Sequence, residues 1–192
     1  GTPVTLQAVP DPNNTFTGWG GDLSGSTNPT SITMNSGKNV TVGFAAPVIY
    51  TLIVPNNCNG TGSIKVNGVS HSLPYSGSFE SGTQLNLEAI PDSGSEFTTW
   101  GPSFGSTNPI SITVNSSMPS LGLCIRLKSY PLNLTMAGSG SGSVKINGVS
   151  QSLPYAGNYE HGSMVNLEAI PGTNCMFSSW GGSLTSTSNP IS

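Results

Sequence analysis

Charge is what this sequence has least of. Only 7% of its 192 residues are Asp, Glu, Lys or Arg, and the net charge is -3. Five Lys and Arg residues cannot form a basic footprint for nucleic acid or a polybasic patch for anionic lipid. No apolar run approaches the roughly 20 residues that cross a bilayer as a helix, and the chain does not open on a basic stretch followed by an apolar one. Membrane insertion and nucleic-acid binding are therefore not expected. Because it starts at Gly1 rather than Met, the chain is expected to be a processed product or a piece of something longer.

Cysteine is also sparse. Cys58, Cys124 and Cys175 form neither a C-x-x-C nor a zinc-ligand pattern, and their odd number allows at most one intrachain disulfide. Cys58 with Cys124 is the candidate pair, since both fall in the one complete repeat; the alternative is three small buried hydrophobes. Segments with a 3.6-residue apolar period are missing too, so the chain is expected to be almost wholly β, with at most a helical turn.

What is present is Gly and Pro, 25 and 15 of them, with 34% hydrophobic residues placed periodically. Regular apolar positions can bury a core, so this is a turn-rich packed protein and not a disordered chain. Many Ser, Thr and Asn residues suit a secreted or cell-surface location. N-glycosylation sequons stand at Asn13, Asn39, Asn59, Asn115 and Asn133, where use depends on the host.

The chain is organised by a repeat. Val66 to Tyr75 returns almost unchanged as Ile146 to Tyr155, a separation of 80; Trp100 and Trp180 are also 80 apart, and Trp19 and Trp100 are 81 apart. That period exceeds the roughly 20 to 50 residues of a solenoid repeat, so each unit has the length of a small domain with its own core. Residues 1–47 read as the second half of a module, 48–129 as a complete module, and 130–192 as a module without its last strands. The first lacks the strands matching Tyr50 to Ser81, and the last lacks those matching Ile112 to Lys128.

Within each unit, alternating sets such as Tyr50-x-Leu52-x-Val54, Leu85-x-Leu87-x-Ala89 and Ile110-x-Ile112-x-Val114 put apolar residues on one face of a strand. Asn67-Gly68 is a tight-turn signal. Leu121 to Leu127 is expected as the last strand. Aligning Phe44 with Cys124 leaves its apolar phase one residue out, and a bulge near Met118-Pro119 would account for the slip.

The ordered series Tyr-x-Leu-x-Val, Val-x-Leu-x-Ala-x-Pro, Phe-x-x-Trp-Gly-Gly, Asn-Pro-x-x-Ile-x-Met and Val-x-Val-x-Phe, clearest over Thr15 to Met34, resembles the divergent internalin-type B-repeat family of bacterial surface proteins. The resemblance implies tandem β-grasp-like modules serving as spacers, stalks or adhesive segments, with no catalytic residues to carry over. This chain differs in its longer units, with an added Asn-Gly-Val-Ser-x-Ser-Leu-Pro-Tyr segment, and in Gly101-Pro102 where the other copies have Gly-Gly.

Candidate chemistry is thin. Trp19, Trp100 and Trp180 read either as sugar-stacking platforms or as core residues locked by Phe16, Phe97 and Phe177, three positions before each; the core reading is preferred. Asp22 is replaced by Ser103 and Ser183 in the other copies, which argues against a calcium loop. Glu88 and Glu168 recur where the first copy has Gln7, and His71 and His161 lie at unrelated positions, so neither pair suggests acid/base chemistry. The expectation is an all-β array of modules of about 80 residues, β-grasp-like or sandwich-like, with no enzymatic activity, no metal and no cofactor. Its expected role is a surface appendage, stalk or filament whose partners are copies of itself or neighbouring repeats. The rival is a carbohydrate- or host-binding adhesin module using exposed aromatics such as Tyr75 and Tyr155, with surface glycans as partners. A piece of a longer array is preferred over a self-completing subunit, because residues 162–192 duplicate 1–31.

Overall fold

A computed structural model describes residues 1–118 and 121–192. Seventeen strands and no helix occur among the described residues, so the protein is all-β. The N-terminal stretch holds β1 (Thr2–Leu6), β2 (Thr15–Gly21), β3 (Thr30–Met34) and β4 (Val40–Ala45). The central stretch holds β5 (Ile49–Val54), β6 (Gly62–Val66), β7 (Val69–Ser72), β8 (Tyr75–Glu80), β9 (Gln84–Pro91), β10 (Ser95–Thr99), β11 (Ile110–Thr113) and β12 (Cys124–Leu127). The C-terminal stretch holds β13 (Ser129–Leu134), β14 (Gly142–Ile146), β15 (Val149–Gln151), β16 (Tyr155–Glu160) and β17 (Leu167–Pro171).

The central stretch is sandwich-like. One sheet runs β11-β9-β6-β7, and the pairs β5-β8 and β10-β12 supply the other strands of the core. Alternation decides which side chains meet. Leu52 and Val54, Ile64 and Val66, Leu85 and Leu87, Ile110 and Ile112, and Leu123 and Ile125 all point inward and form one cluster with Trp100. The β6-β7 hairpin turns on Asn67 and Gly68, whose φ values of 49° and 82° are both positive, as a two-residue hairpin turn requires. Asn67 also accepts a bond from the Asn86 backbone N–H through its side chain at 2.8 Å, which ties the hairpin tip to β9. Asn147 repeats the bond with Asn166 at 2.9 Å.

Matching positions are buried to different depths in the copies. Leu85, Val114, Leu123 and Ile125 are at most 1% exposed, whereas their counterparts Val4, Met34, Val42 and Phe44 are 40–46% exposed. The difference lies in packing and not in residue type: β5, β6 and β8 lie over the central core, and the N-terminal stretch has no such layer. In the C-terminal stretch, β15-β14-β17 and β13-β16 bury Val144, Ile146 and Leu167. A groove of about 350 Å³ there is lined by Tyr130, Leu132, Tyr159, Val165 and Leu167. The residues matching Ile112 and Val114, which seal the central core, do not occur in this stretch.

Two expectations need correction. Phe16 pairs with Phe44 and Phe97 pairs with Ile125, so Phe44 matches Ile125 and not Cys124. The apolar phase is kept because the stretch from Trp100 to Asn108 is one residue shorter than that from Trp19 to Asn28, and the stretch from Val114 to Leu121 is one longer than that from Met34 to Val40. The irregularity seen in register is at Phe16/Gly18 and Phe97/Thr99, inside the Phe-x-x-Trp strand. The bulge expected at Met118-Pro119 falls partly on residues 119–120, outside the described residues. The last strand is also shorter than expected, since β12 begins at Cys124, although Leu121 and Leu123 are buried ahead of it.

Candidate functional site

The three Phe-x-x-Trp segments are the most repeated side-chain arrangement. In the first two copies the register shift after the Phe turns Phe and Trp to the same side, and in all three the rings meet, with centroids 5.2 Å apart for Phe16 and Trp19, 5.8 Å for Phe97 and Trp100, and 5.3 Å for Phe177 and Trp180. These are ordinary tilted aromatic pairs. Each Trp backbone N–H closes the following loop by donating to a carbonyl, Gly25, Gly105 or Ser186, at 2.7–2.9 Å. In the central copy the loop includes a single turn, closed by Gly105 N–H to the Gly101 carbonyl at 2.9 Å.

Trp100 is 0% exposed, while Trp19 and Trp180 are half-buried. Their indoles differ in partner as well. Trp19 Nε1 donates to the Thr27 carbonyl at 2.9 Å and Trp180 Nε1 to the Ser188 carbonyl at 3.1 Å. Trp100 Nε1 is buried without an acceptor among the described residues. The central Trp loop is one residue shorter, so the matching carbonyl is not offered in the same place. Trp100 is enclosed by its unit, and Trp19 and Trp180 are held to their own units by the indole bonds while remaining half-exposed. Phe16, Phe97 and Phe177 are half-buried beside them.

An asparagine clamp lies beyond each Trp loop. Asn108 accepts from the Ala89 N–H and donates to the Ala89 carbonyl, both at 2.9 Å. Asn28 does the same with Ala8, at 2.9 and 2.8 Å, and Asn189 with Ala169, at 2.7 and 2.8 Å. A primary amide fits because it offers an acceptor and a donor side by side, matching one residue's backbone N–H and C=O. Each clamp Asn precedes a cis proline. From sequence the Asn-Pro pair reads only as a strand stop; the clamp needs the partner strand in place.

Cys58 and Cys124 are joined by a disulfide with Cα atoms 5.1 Å apart. Around it, Asn56 Oδ1 accepts from the Ile125 N–H at 3.0 Å, and Asn59 Oδ1 accepts from the Leu127 N–H at 3.3 Å. Cys175 is a free thiol at the position matching Ser95. The Ser141 backbone N–H donates to its sulfur at 3.3 Å and holds the thiol below its usual pKa.

The remaining candidates are structural in their surroundings. Glu88 pairs with Lys65 and Glu168 with Lys145, each at 3.1 Å across neighbouring strands and half-exposed. Asp22 bonds the Asn39 N–H at 2.7 Å and lies 3.8 Å from Lys38. His71 packs on Tyr75 and His161 near Tyr130. The aromatics proposed as exposed platforms are not free: Tyr75 and Tyr155 are half-buried and pack on their cores. The Tyr155 hydroxyl lies 2.9 Å from that of Tyr159, and this bond, with some desolvation, raises the Tyr159 pKa above its ordinary 10.0. Among the described residues no three His, Cys, Asp or Glu side chains are grouped to hold a metal ion. No helix among the described residues is long and apolar enough to cross a membrane.

Fold and repeated loops together define an all-β tandem-repeat protein whose recurring residues serve each unit's own packing. The divergent InlB B-repeat domain model matches residues 1–47, 50–122 and 132–192. The chain belongs to this family of bacterial surface-protein repeats. No curated protein and no solved structure matches it.

Proposed function

We propose that the chain is a segment of an extracellular structural array, a stalk, spacer or filament at the bacterial surface, without enzymatic activity. The single observation that carries this reading is that its most repeated residues are turned inward: Phe-x-x-Trp packs on itself, and the clamp Asn bonds the unit's own backbone. A binding repeat would instead hold the same side chains outward, in reach of a ligand. The uncharged Ser, Thr and Asn exterior supports the reading, because units with little charge can lie close along an array without mutual repulsion. Its partners are neighbouring repeats or further copies of the chain.

The test is antibody labelling of intact, unpermeabilised source cells, followed by mass analysis and negative-stain imaging of the native material. Surface labelling with beaded stalks or fibres is expected. Labelling confined to permeabilised cells would overturn the assignment.

A further inference from the structure

The geometry points to a direction of strength in the central unit: the segment after its first strand is laced side by side with its last strand, so that tension reaching the two through the chain loads all the lacing at once. The segment after β5 runs parallel to β12, with Asn56 bridged to Leu123 in parallel. Asn57 N–H donates to the Leu123 carbonyl and Gly60 N–H to the Ile125 carbonyl, both at 2.9 Å. Between these rungs stand the side-chain bonds of Asn56 to Ile125 and Asn59 to Leu127. The Cys58–Cys124 disulfide adds a covalent link to the same lacing. The contact is close enough that a Cβ on Gly60 would come within 2.5 Å of the Arg126 carbonyl carbon.

Direction follows from topology. Neighbouring units pull Asn56 to Gly60 back toward residue 48 and pull Leu123 to Leu127 forward toward residue 128. Two parallel segments drawn in opposite senses slide along each other, so their bonds are sheared together and none is peeled first. An antiparallel hairpin pulled at its open end would instead unzip rung by rung. The side chains of the lacing are particular to the central unit: Asn56, Cys58 and Asn59 correspond to Met136, Gly138 and Ser139 in the C-terminal stretch. The disulfide then acts as a stop, because with Cys58 joined to Cys124 only the residues outside that loop can be drawn out.

The inference deepens the structural-array reading and rests on it for its use in the organism, but its test is independent of that use. The full chain is tethered through its termini between two handle proteins and stretched by force spectroscopy, first oxidised and then after reductant. The closed loop spans 66 residues, so oxidised molecules should stretch to a contour roughly 23 nm shorter than reduced ones, at ~3.5 Å per residue. Reduced molecules should show one dominant rupture peak for the central unit. Asn56→Ala with Asn59→Ala should lower that peak by about half, and Lys65→Ala, away from the lacing, should leave it unchanged; circular dichroism confirms that each variant is folded. Equal contours before and after reduction, or a folded Asn56→Ala/Asn59→Ala variant with an unchanged peak, would overturn the inference. Saturable glycan binding by a chain that passes these tests would overturn the structural-array reading alone.

Discussion

Replacing Trp100 by Ala tests whether the Phe-x-x-Trp segment works through packing. Trp100 is fully enclosed within the central core, a cluster that includes Leu123 and Ile125, and its ring lies 5.8 Å from that of Phe97. Deleting a buried indole costs the transfer of its apolar surface and leaves a cavity that the surrounding strands fill incompletely, about 3–5 kcal/mol in all. A unit of this length has a total stability of roughly 4–12 kcal/mol, so the loss takes a large share. At about 4–8 °C per kcal/mol, the central unit's transition should fall by at least ~12 °C. Calorimetry on the full oxidised chain reads it. Trp100→Phe should cost only ~1–2 kcal/mol, because the ring still packs on Phe97. Trp180→Ala should move its own transition less, since that indole is already half-solvated. A Trp100→Ala chain that melts within about 2 °C of the parent would refute the packing argument.

Asn108→Ala leaves the N–H and C=O of Ala89 without the clamp and should cost ~2–4 kcal/mol, whereas Asn108→Asp should fare little better because a carboxylate cannot donate to that carbonyl; urea melts compare them. Removing both Cys58 and Cys124 as serines should lower stability by ~4 kcal/mol, the chain-entropy value for a loop of this size. Lys65→Ala should change stability by less than ~0.5 kcal/mol, as its pair with Glu88 is half-exposed. Without reductant, alkylation should modify Cys175 alone, and faster than an unstructured thiol, because Ser141 favours the thiolate; peptide mapping shows which cysteine carries the label. The raised Tyr159 pKa means folding favours its protonated form. The stability it contributes is therefore whole below pH 10.0 and lost as pH rises through the folded value; Tyr155→Phe should remove that loss, as followed by alkaline unfolding.

Much of the architecture is written locally. Period-2 alternation at Leu85-x-Leu87-x-Ala89 and Ile110-x-Ile112 puts apolar groups on one face, and Asn67-Gly68 fixes a hairpin, so strands and turns follow from neighbours along the chain. The depth of burial does not. Val42 and Leu123 occupy matching positions with similar side chains, yet only the second is covered, because coverage comes from strands far away in sequence. Asn56 and Asn59 look like ordinary turn residues, since nothing in a turn's composition says which distant strand its amides will meet. Tyr75 reads as exposed because a strand's alternation does not tell which face another sheet will take. The phase of the last strand is obscured by two compensating length changes in loops, which only the pairing of Phe97 with Ile125 resolves.

The claim that this array is structural is tested most directly by offering the folded, monomeric chain to a broad panel of immobilised glycans. No saturable binding is expected, since Trp19, Trp100 and Trp180 are held against their own units and Tyr75 and Tyr155 pack on their cores. Saturable binding to a defined glycan, abolished by Tyr75→Ala in a chain that still melts like the parent, would contradict the account and make the protein an adhesin module.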